Sequence, residues 1–398
     1  MIGFREAQQL LTAHAASFGK ETIPLASAYG RVLATALFAD RDYPPFNRSA
    51  MDGYAIRFED FKNGLRRFSI AGTLYAGMEA LIPVRSGQCC KIMTGAPVPE
   101  ATDMVIRKEE VREEAGMIEV LAETGRPFQH ISRQGEDLRK GDRITRLACT
   151  CDPPMMGLLA SLGRSEVTVE RLPRIALLTT GDEVVEVGVP VGPAQIRNSN
   201  RWLLQSLLRR QGITHPGHVH LPDDRNQLLD SVGRSLQEAQ VLIVSGGVSA
   251  GDADHVPGVL EELGVSKLFH KLAIRPGKPA WCGKAPGEKM VFALPGNPLS
   301  CLVGYLLLVE PWIQACFALG RTEPIGLPLL HNRNKRTPLD EFFPVRLGGM
   351  PAGLSPVAFN GSGDIRLGLH ANALALHPAA AGDLPAGTVL ECYPFSDL

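Results

Sequence analysis

The sequence predicts a multidomain α/β protein, in which a doubly wound α/β domain is interrupted by a β-rich insertion and followed by a small C-terminal β domain. Three observations predict this. The segments Arg174–Thr180, Val241–Ser245 and Met290–Leu294 carry short continuous apolar runs, the pattern of strands buried on both faces, and helical stripes alternate with them. From about Tyr43 to Gly135, and again after Arg321, the pattern changes to short runs separated by Gly, Pro and Asn clusters. A chain of 398 residues also has room for more than one core, at roughly 100 to 200 residues per domain.

The elements follow in order. Phe4, Ala7, Leu10, Leu11, His14 and Phe18 recur at helical spacing, and Gly19 follows where a C-cap is expected, so the chain opens on a short amphipathic helix. In the insertion, Phe68–Ala71 and Cys90–Met93 read as strands. Trp202, Leu203, Leu204, Leu207 and Leu208 form one helical stripe ending at Gly212. Leu228, Leu229, Val232 and Leu236 form another after the capping candidates Asp223 and Asp224. Met290–Leu294 turns through Pro295-Gly296-Asn297-Pro298 into a helix beginning near Pro298, where a first-turn proline is tolerated. The expected sheet is doubly wound and parallel. Beyond Arg321, Phe342–Val345 and Thr388–Tyr393 read as strands of the final domain.

Composition narrows the function. Lys and Arg total 41 against 42 Asp and Glu, so no global positive field exists to drive nucleic-acid binding, and any anion site is local. The start Met1–Glu6 lacks the basic region and apolar stretch of a signal peptide, so a cytoplasmic protein is expected. The longest uncharged run, Met290–Val309, is interrupted by two prolines and reads as strand, turn and buried helix, not as a membrane span. Eight cysteines, with Cys89 and Cys90 adjacent and Cys149 and Cys151 one residue apart, match neither a disulfide framework nor paired zinc knuckles; reduced thiols are expected.

In doubly wound sheets ligands collect beyond the carboxyl ends of the strands, where backbone N–H groups are unsatisfied. The first strand ends in Thr180-Gly181-Asp182-Glu183, oxygen-rich enough for a hard divalent cation, though taken without its neighbours the segment reads more readily as a turn with Asp182 as a cap and Glu183 in solvent. The second ends in Ser245-Gly246-Gly247-Val248-Ser249, which continues to a further carboxylate at Asp254. Its glycines permit an anion-binding nest or an ordinary loop; it is not a Walker loop, because the terminal G-K-[ST] is missing. The third gives the rigid Leu294–Ser300 turn. Upstream, Lys271, Arg275 and Lys278 bracket a Pro-Gly turn and read either as an oxyanion grip or as a solvated basic turn. The insertion adds Asn47–Ala55 and Met93–Pro99, and Arg133–Asp137 lies where the chain leaves it; each also reads as a turn or a surface salt bridge.

Taken in order, P-x-F-x-x-S-A-M-D-G-Y-A from Pro44, I-M-T-G-A-P-V-P from Ile92, G-E-D from Gly135, T-T-G-D-E from Thr179, S-G-G-V-S-x-G-x-x-D from Ser245 and L-P-G-N-P from Leu294 resemble the molybdopterin molybdenumtransferase family, to which gephyrin's C-terminal domain also belongs. The resemblance runs through nearly the whole chain. It implies four domains: a molybdopterin-binding α/β domain (1–20 plus 171–325), a small linking domain (21–46 plus 136–170), the β-rich insertion (47–135) and the C-terminal β domain (326–398). It also implies a homodimer whose active site is shared between subunits, acting in molybdenum cofactor biosynthesis. The substrates would be molybdate and adenylylated molybdopterin, with Mg²⁺ as cofactor and AMP released. Contact with molybdopterin adenylyltransferase and molybdoenzyme chaperones is implied as well; nucleic acid and membrane partners are not.

By that resemblance Asp52, Thr94, Asp137 and Glu183 are catalytic, with Asp52 acting across the dimer, and Glu183 and Asp254 hold the metal. Ser245, Gly246, Gly247, Pro295, Gly296 and Pro298 line the pterin and phosphate pocket, Arg275, Lys278, Arg346 and Ser362 bind molybdate, Asp223 is an auxiliary carboxylate beside the metal, and Thr180 and Lys271 are further substrate-binding residues. Three positions depart from the family pattern: Arg275 where Lys is frequent, Asn198 where Asp is common, and His255 where Tyr is usual. Two other functions fit part of the pattern. Molybdopterin adenylyltransferases share a similar α/β domain but lack the β insertion. A gephyrin-like scaffold needs no catalytic carboxylates, and this chain has them.

Overall fold

The computed structural model describes residues 1–145, 148–249, 254–320, 323–349 and 352–396. The chain divides into two compact units, Met1–Thr35 with Leu147–Leu398, and Ala36–Arg146.

In the first unit a six-stranded sheet runs in the order Gly217–Leu221, Ile175–Thr180, Val241–Ser245, Lys289–Leu294, Trp281–Ala285, Ser266–His270. Side-chain alternation explains why the strands read as unbroken apolar runs. Leu177, Ile243 and Phe292 enter one core, while Leu178, Val244 and Val291 enter the other. Helices Phe4–Ala13, Ser199–Arg210 and Pro298–Cys316 cover the first face, and Arg225–Glu238 and Val256–Glu262 the second. The sheet is doubly wound but not wholly parallel. The first four strands are parallel, and Trp281–Ala285 and Ser266–His270 complete the edge in antiparallel pairing. The reason is local: only Pro286-Gly287-Glu288 separates Trp281–Ala285 from its neighbour, too short for a crossover helix.

The opening helix is shorter than its apolar spacing suggests. It ends at Ala13, with His14 as C-cap, and Phe18 packs edge-on to Trp312 from irregular chain, ring centroids 6.1 Å apart. Pro298–Cys316 is long and apolar enough to cross a membrane, yet it is mostly buried as a core helix. Its middle, Tyr305–Val309, is π-helical, and Gln8 Nε2 donates to the Leu307 carbonyl there at 2.9 Å. A second sheet, ordered Ile274–Arg275, Asp340–Gly348, Ala373–His377, Val389–Pro394, Ile325–Pro328, joins the α/β core through Phe342, Leu374 and Leu376. Lys20–Pro24 pairs antiparallel with Glu166–Glu170.

The helix Pro153–Ser161 illustrates local control. Asp152 caps it by accepting from Met155 N at 2.9 Å, and Pro153 occupies the first turn. Asp152→Ala is expected to cost about 1 kcal/mol of unfolding free energy, read by urea titration; an unchanged midpoint would show that the cap contributes nothing.

In the second unit a mixed six-stranded sheet runs Met104–Arg107, Gly53–Ile56, Gln88–Ile92, Arg67–Leu74, Met117–Val120, Val111–Glu114. It too is buried on both faces. Adjacent Cys89 and Cys90 therefore point into different cores, Cys89 beside Tyr54 and Phe68, Cys90 beside Leu74 and Ile92. Burial pushes the Cys89 thiol up to about 12 and the Cys90 thiol to about 11, which makes both poor nucleophiles.

Candidate functional site

Register places the functional loops. Thr179 is level with Ser245, Ser245 with Leu294, and Thr180 with Leu221, so the four parallel strands end together. The loops beginning at Gly181, Pro222, Gly246 and Pro295 consequently open on one side, around a cleft of about 1550 Å³.

One wall is acidic, with Glu183, Asp223 and Asp254. Gly181 adopts φ +135°, and Glu183 folds back over it: a Cβ added at Gly181 would lie 2.6 Å from Glu183 Oε2. Asp182 turns the other way and accepts from Asp223 N at 3.0 Å. Burial, reinforced by the charges of Asp182, Glu183 and Asp254, raises the Asp223 carboxyl above the usual carboxylate range. Mutual repulsion of this kind suits a divalent cation. Among the described residues, however, no three Asp, Glu, His or Cys side chains form a group able to hold a metal. The carboxylates that line the cleft would suit Mg²⁺, which keeps waters and takes one or two carboxylates plus substrate phosphate.

The cleft floor is glycine backbone. Gly246 (φ +106°) and Gly247 (φ +64°) sit against Thr180 and Val256, and Gly246 N donates to Leu294 O at 3.0 Å. Ala250, Gly251, Asp252 and Ala253 of the same motif lie outside the described residues. The Thr180 hydroxyl is buried in the wall without a hydrogen-bond partner among the described residues. Asn297 Nδ2 donates to Ser362 Oγ at 2.9 Å, and Leu299 N donates to Ser362 O at 3.0 Å, which brings the C-terminal segment onto the Pro295–Pro298 turn.

A second group of lining residues is basic. Ile274–Arg275 pairs in parallel with Asp340–Glu341, so the second sheet delivers its residues to the cleft beside Arg275. Arg275, Lys278 and Arg336 line the cleft, and among the described residues none of them forms an ion pair. Arg336 was not foreseen, because it precedes the strand in sequence that shows no periodicity. Two predicted members of this group are elsewhere. Arg346 is exposed, opposite Ser355, and lies five residues beyond Glu341, about 17 Å along an extended strand. Lys271 lies outside the lining, in a left-handed turn (φ +72°) whose N–H donates to Ala280 O at 2.9 Å. The remaining predicted residues of this unit, Thr180, Glu183, Asp223, Ser245, Gly246, Gly247, Asp254, Arg275, Lys278, Pro295, Gly296, Pro298 and Ser362, all line the cleft.

The departure at Asn198 has a structural account. It caps helix Ser199–Arg210 through Arg201 N (3.2 Å) and donates from Nδ2 to Thr179 Oγ1 (2.8 Å). That hydroxyl also meets His218 Nε2 and His220 Nδ1, each at 3.1 Å. Its single proton goes to one ring, so it accepts from the other ring and from the amide; an ionised Asp at 198 has no proton to give. Burial pushes His218 down to about 4, which keeps that ring neutral.

Within the second unit, Asp52 Oδ1 accepts from Thr94 N at 2.8 Å and from Thr94 Oγ1 at 2.7 Å. Asp137 is exposed, its N–H donating to Tyr43 O at 3.0 Å. The Thr94 N–H first, then its hydroxyl, hold the Asp52 carboxyl below the usual range. A depressed carboxylate contributes above its unfolded pKa and loses that contribution as pH falls through the folded value. Thr94→Val removes the hydroxyl and is expected to move Asp52 titration, and any acid limb depending on it, to higher pH; NMR of the Asp52 carboxyl carbon reads this, and an unmoved curve contradicts it.

An open α/β sheet whose strand-end cleft is lined by carboxylates, cations and glycine loops belongs to the class of folds that take ligands, anionic ones among them, at the carboxyl edge of the sheet. Residues 2–163 match the MoeA N-terminal region (domain I and II), and residues 176–315 match a probable molybdopterin binding domain. The chain is 33% identical to the molybdopterin molybdenumtransferase of Synechocystis sp. over 404 residues, covering 99% of each chain. It is 40% identical to that of Haemophilus influenzae over 295 residues, covering 74% of this chain and 72% of the other. The crystal structure of the molybdopterin biosynthesis MoeA protein from Pyrococcus horikoshii superposes with a TM-score of 0.84 at 26% identity, covering 99% of this chain and 100% of that one. The chain belongs to the molybdopterin molybdenumtransferase family and is an enzyme of molybdenum cofactor biosynthesis.

Proposed function

We propose that this protein inserts molybdenum from molybdate into adenylylated molybdopterin with Mg²⁺-dependent release of AMP. The observation that carries the reading is the meeting of Glu183, Asp223 and Asp254 with Arg275, Lys278 and Arg336 around one cleft. Phosphoanhydride cleavage needs neutralised phosphate charge and an oriented oxygen nucleophile, not a covalent protein intermediate. Glu183 and Asp254 would hold Mg²⁺, which when bound neutralises phosphate charge. The Gly246 N–H is committed to the Leu294 carbonyl, so the N–H groups from Gly247 onward in the turn are the ones suited to the phosphate. Arg275, Lys278 and Arg336, with Ser362 lining the same cleft, suit the tetrahedral molybdate dianion. Water, as the oxygen nucleophile, forms the new P–O bond at the molybdopterin phosphorus as the bridging P–O bond breaks, and AMP leaves with the bridging oxygen and its electron pair; the two dithiolene thiols bind molybdenum as one molybdate oxygen leaves as water with their two protons.

The proposal includes a cytoplasmic homodimer in which Asp52, Thr94 and Asp137 of one copy serve the cleft of the other. Mixing inactive Asp52→Ala with inactive Glu183→Gln protein then restores activity through mixed dimers that retain one intact site; no restoration argues against sharing. Contact with molybdopterin adenylyltransferase and molybdoenzyme chaperones belongs to the same proposal. Incubation with adenylylated molybdopterin, molybdate and Mg²⁺ tests the reaction. AMP release matched by cofactor able to activate an apo-molybdoenzyme is expected. Consumption of ATP and molybdopterin instead would indicate adenylylation, and no turnover would indicate a scaffold.

A further inference from the structure

We propose that Asn200 is the positioning residue of the cleft, holding the Ser245-Gly246-Gly247 turn against the Pro295–Pro298 turn. The inference rests on the function proposed above. Asn200 is the second residue of helix Ser199–Arg210 and lines the cleft. Its Nδ2 donates to Ser245 Oγ at 2.8 Å and to Gly296 O at 2.7 Å. The amide orientation is fixed by chemistry, because the Gly296 carbonyl only accepts and the nitrogen must face it. Ser245 Oγ in turn reaches Cys301 Sγ at 3.7 Å, in the first turn of the core helix.

The arrangement carries a cost that a purely structural filler would avoid. Asn200 is only 9% exposed, and its Oδ1 is buried without a partner among the described residues. The two turns need such a bond because their own side chains cannot supply it. Gly246 and Gly247 have none, and a Cβ at Gly296 would stand 3.6 Å from Gly246 Cα, so the two turns run about one methyl group apart there. The backbone bond from Gly246 N to Leu294 O ties the first turn to the end of the neighbouring strand, short of the Gly296 carbonyl. A small slip between the turns redirects the N–H groups offered to phosphate. Asn200 touches no reacting atom in this scheme; it acts through both turns.

Asn200→Ala deletes the donor, and Asn200→Asp keeps the size while placing an acceptor against the Gly296 carbonyl. Amide exchange in 245–249 and 295–299 is expected to rise about tenfold in both variants at neutral pH, with exchange elsewhere unchanged. KM for adenylylated molybdopterin is expected to rise about tenfold with kcat nearly constant. Because a protonated carboxyl again donates, Asn200→Asp should recover between about pH 8 and about pH 6 while Asn200→Ala does not. Unchanged exchange in the two turns overturns the proposal. So does a uniform loss of protection in which the two variants respond alike at every pH, the sign of a merely structural residue. Wild-type protein that releases no AMP would defeat the functional reading alone, and the exchange and pH comparison would still decide the clamp.

Discussion

Glu183→Gln is expected to leave the fold intact and to lower Mg²⁺-dependent AMP release by roughly 10²- to 10⁴-fold, from the several kcal/mol that a positioned cation contributes at 1.36 kcal/mol per decade. The side chain is exposed and forms no ion pair among the described residues, so stability should change by no more than about 0.5 kcal/mol. Gln preserves shape and the approach to Gly181 while removing the charge. Circular dichroism checks the fold, and AMP release across a Mg²⁺ titration checks the function. Wild-type rates at the same Mg²⁺ concentration would remove Glu183 from the catalytic set and with it the cation-binding role of the acidic wall.

Gly246→Ala is expected to damage stability and binding together. The new Cβ would stand 2.6 Å from Thr180 Oγ1 and 2.8 Å from Thr180 O, in a backbone conformation of φ +106°. The hydroxyl can rotate away. The carbonyl is held, since Thr180 is paired with Leu221 in the sheet. Backbone strain of about 1–3 kcal/mol and overpacking of about 1–3 kcal/mol together predict a loss of roughly 2–6 kcal/mol in urea unfolding. Gly296→Ala is the control. Its Cβ meets Gly246 Cα at an ordinary 3.6 Å and its φ lies outside the left-handed region, so a stability change below about 1 kcal/mol is expected. Equal effects at the two glycines would refute the steric argument.

These outcomes depend on features read with different ease from the sequence. The strands Ile175–Thr180, Val241–Ser245 and Lys289–Leu294 were legible because burial on both faces leaves a continuous apolar run, and the turn residues behind them mark where the carboxyl edge lies. The helix beginning at Pro298 was legible from its proline and apolar length. The antiparallel pairing of Trp281–Ala285 was not, because a buried antiparallel strand carries the same apolar signature as a parallel one. The opening helix was overextended to Phe18, since apolar spacing persists where packing against Trp312, not helix, buries the ring.

In the cleft, glycines and carboxylates stood in long contiguous motifs and could be named. Arg336 and Asn200 could not. Arg336 reaches the cleft because Ile274–Arg275 pairs with Asp340–Glu341 across more than sixty residues of chain, and that same register carries Arg346 away. Asn200 differs from any other polar residue in a helix's first turn only by what it meets, Ser245 and the Gly296 carbonyl.

The sequence by itself determined the two-sided strands, the position of their glycine and carboxylate loops, and the family. Tertiary structure decided which cations face those loops and which amide joins them. The physical reason is that burial and turn chemistry are local and leave a periodic trace in composition, whereas convergence depends on strand register between distant segments, which leaves none.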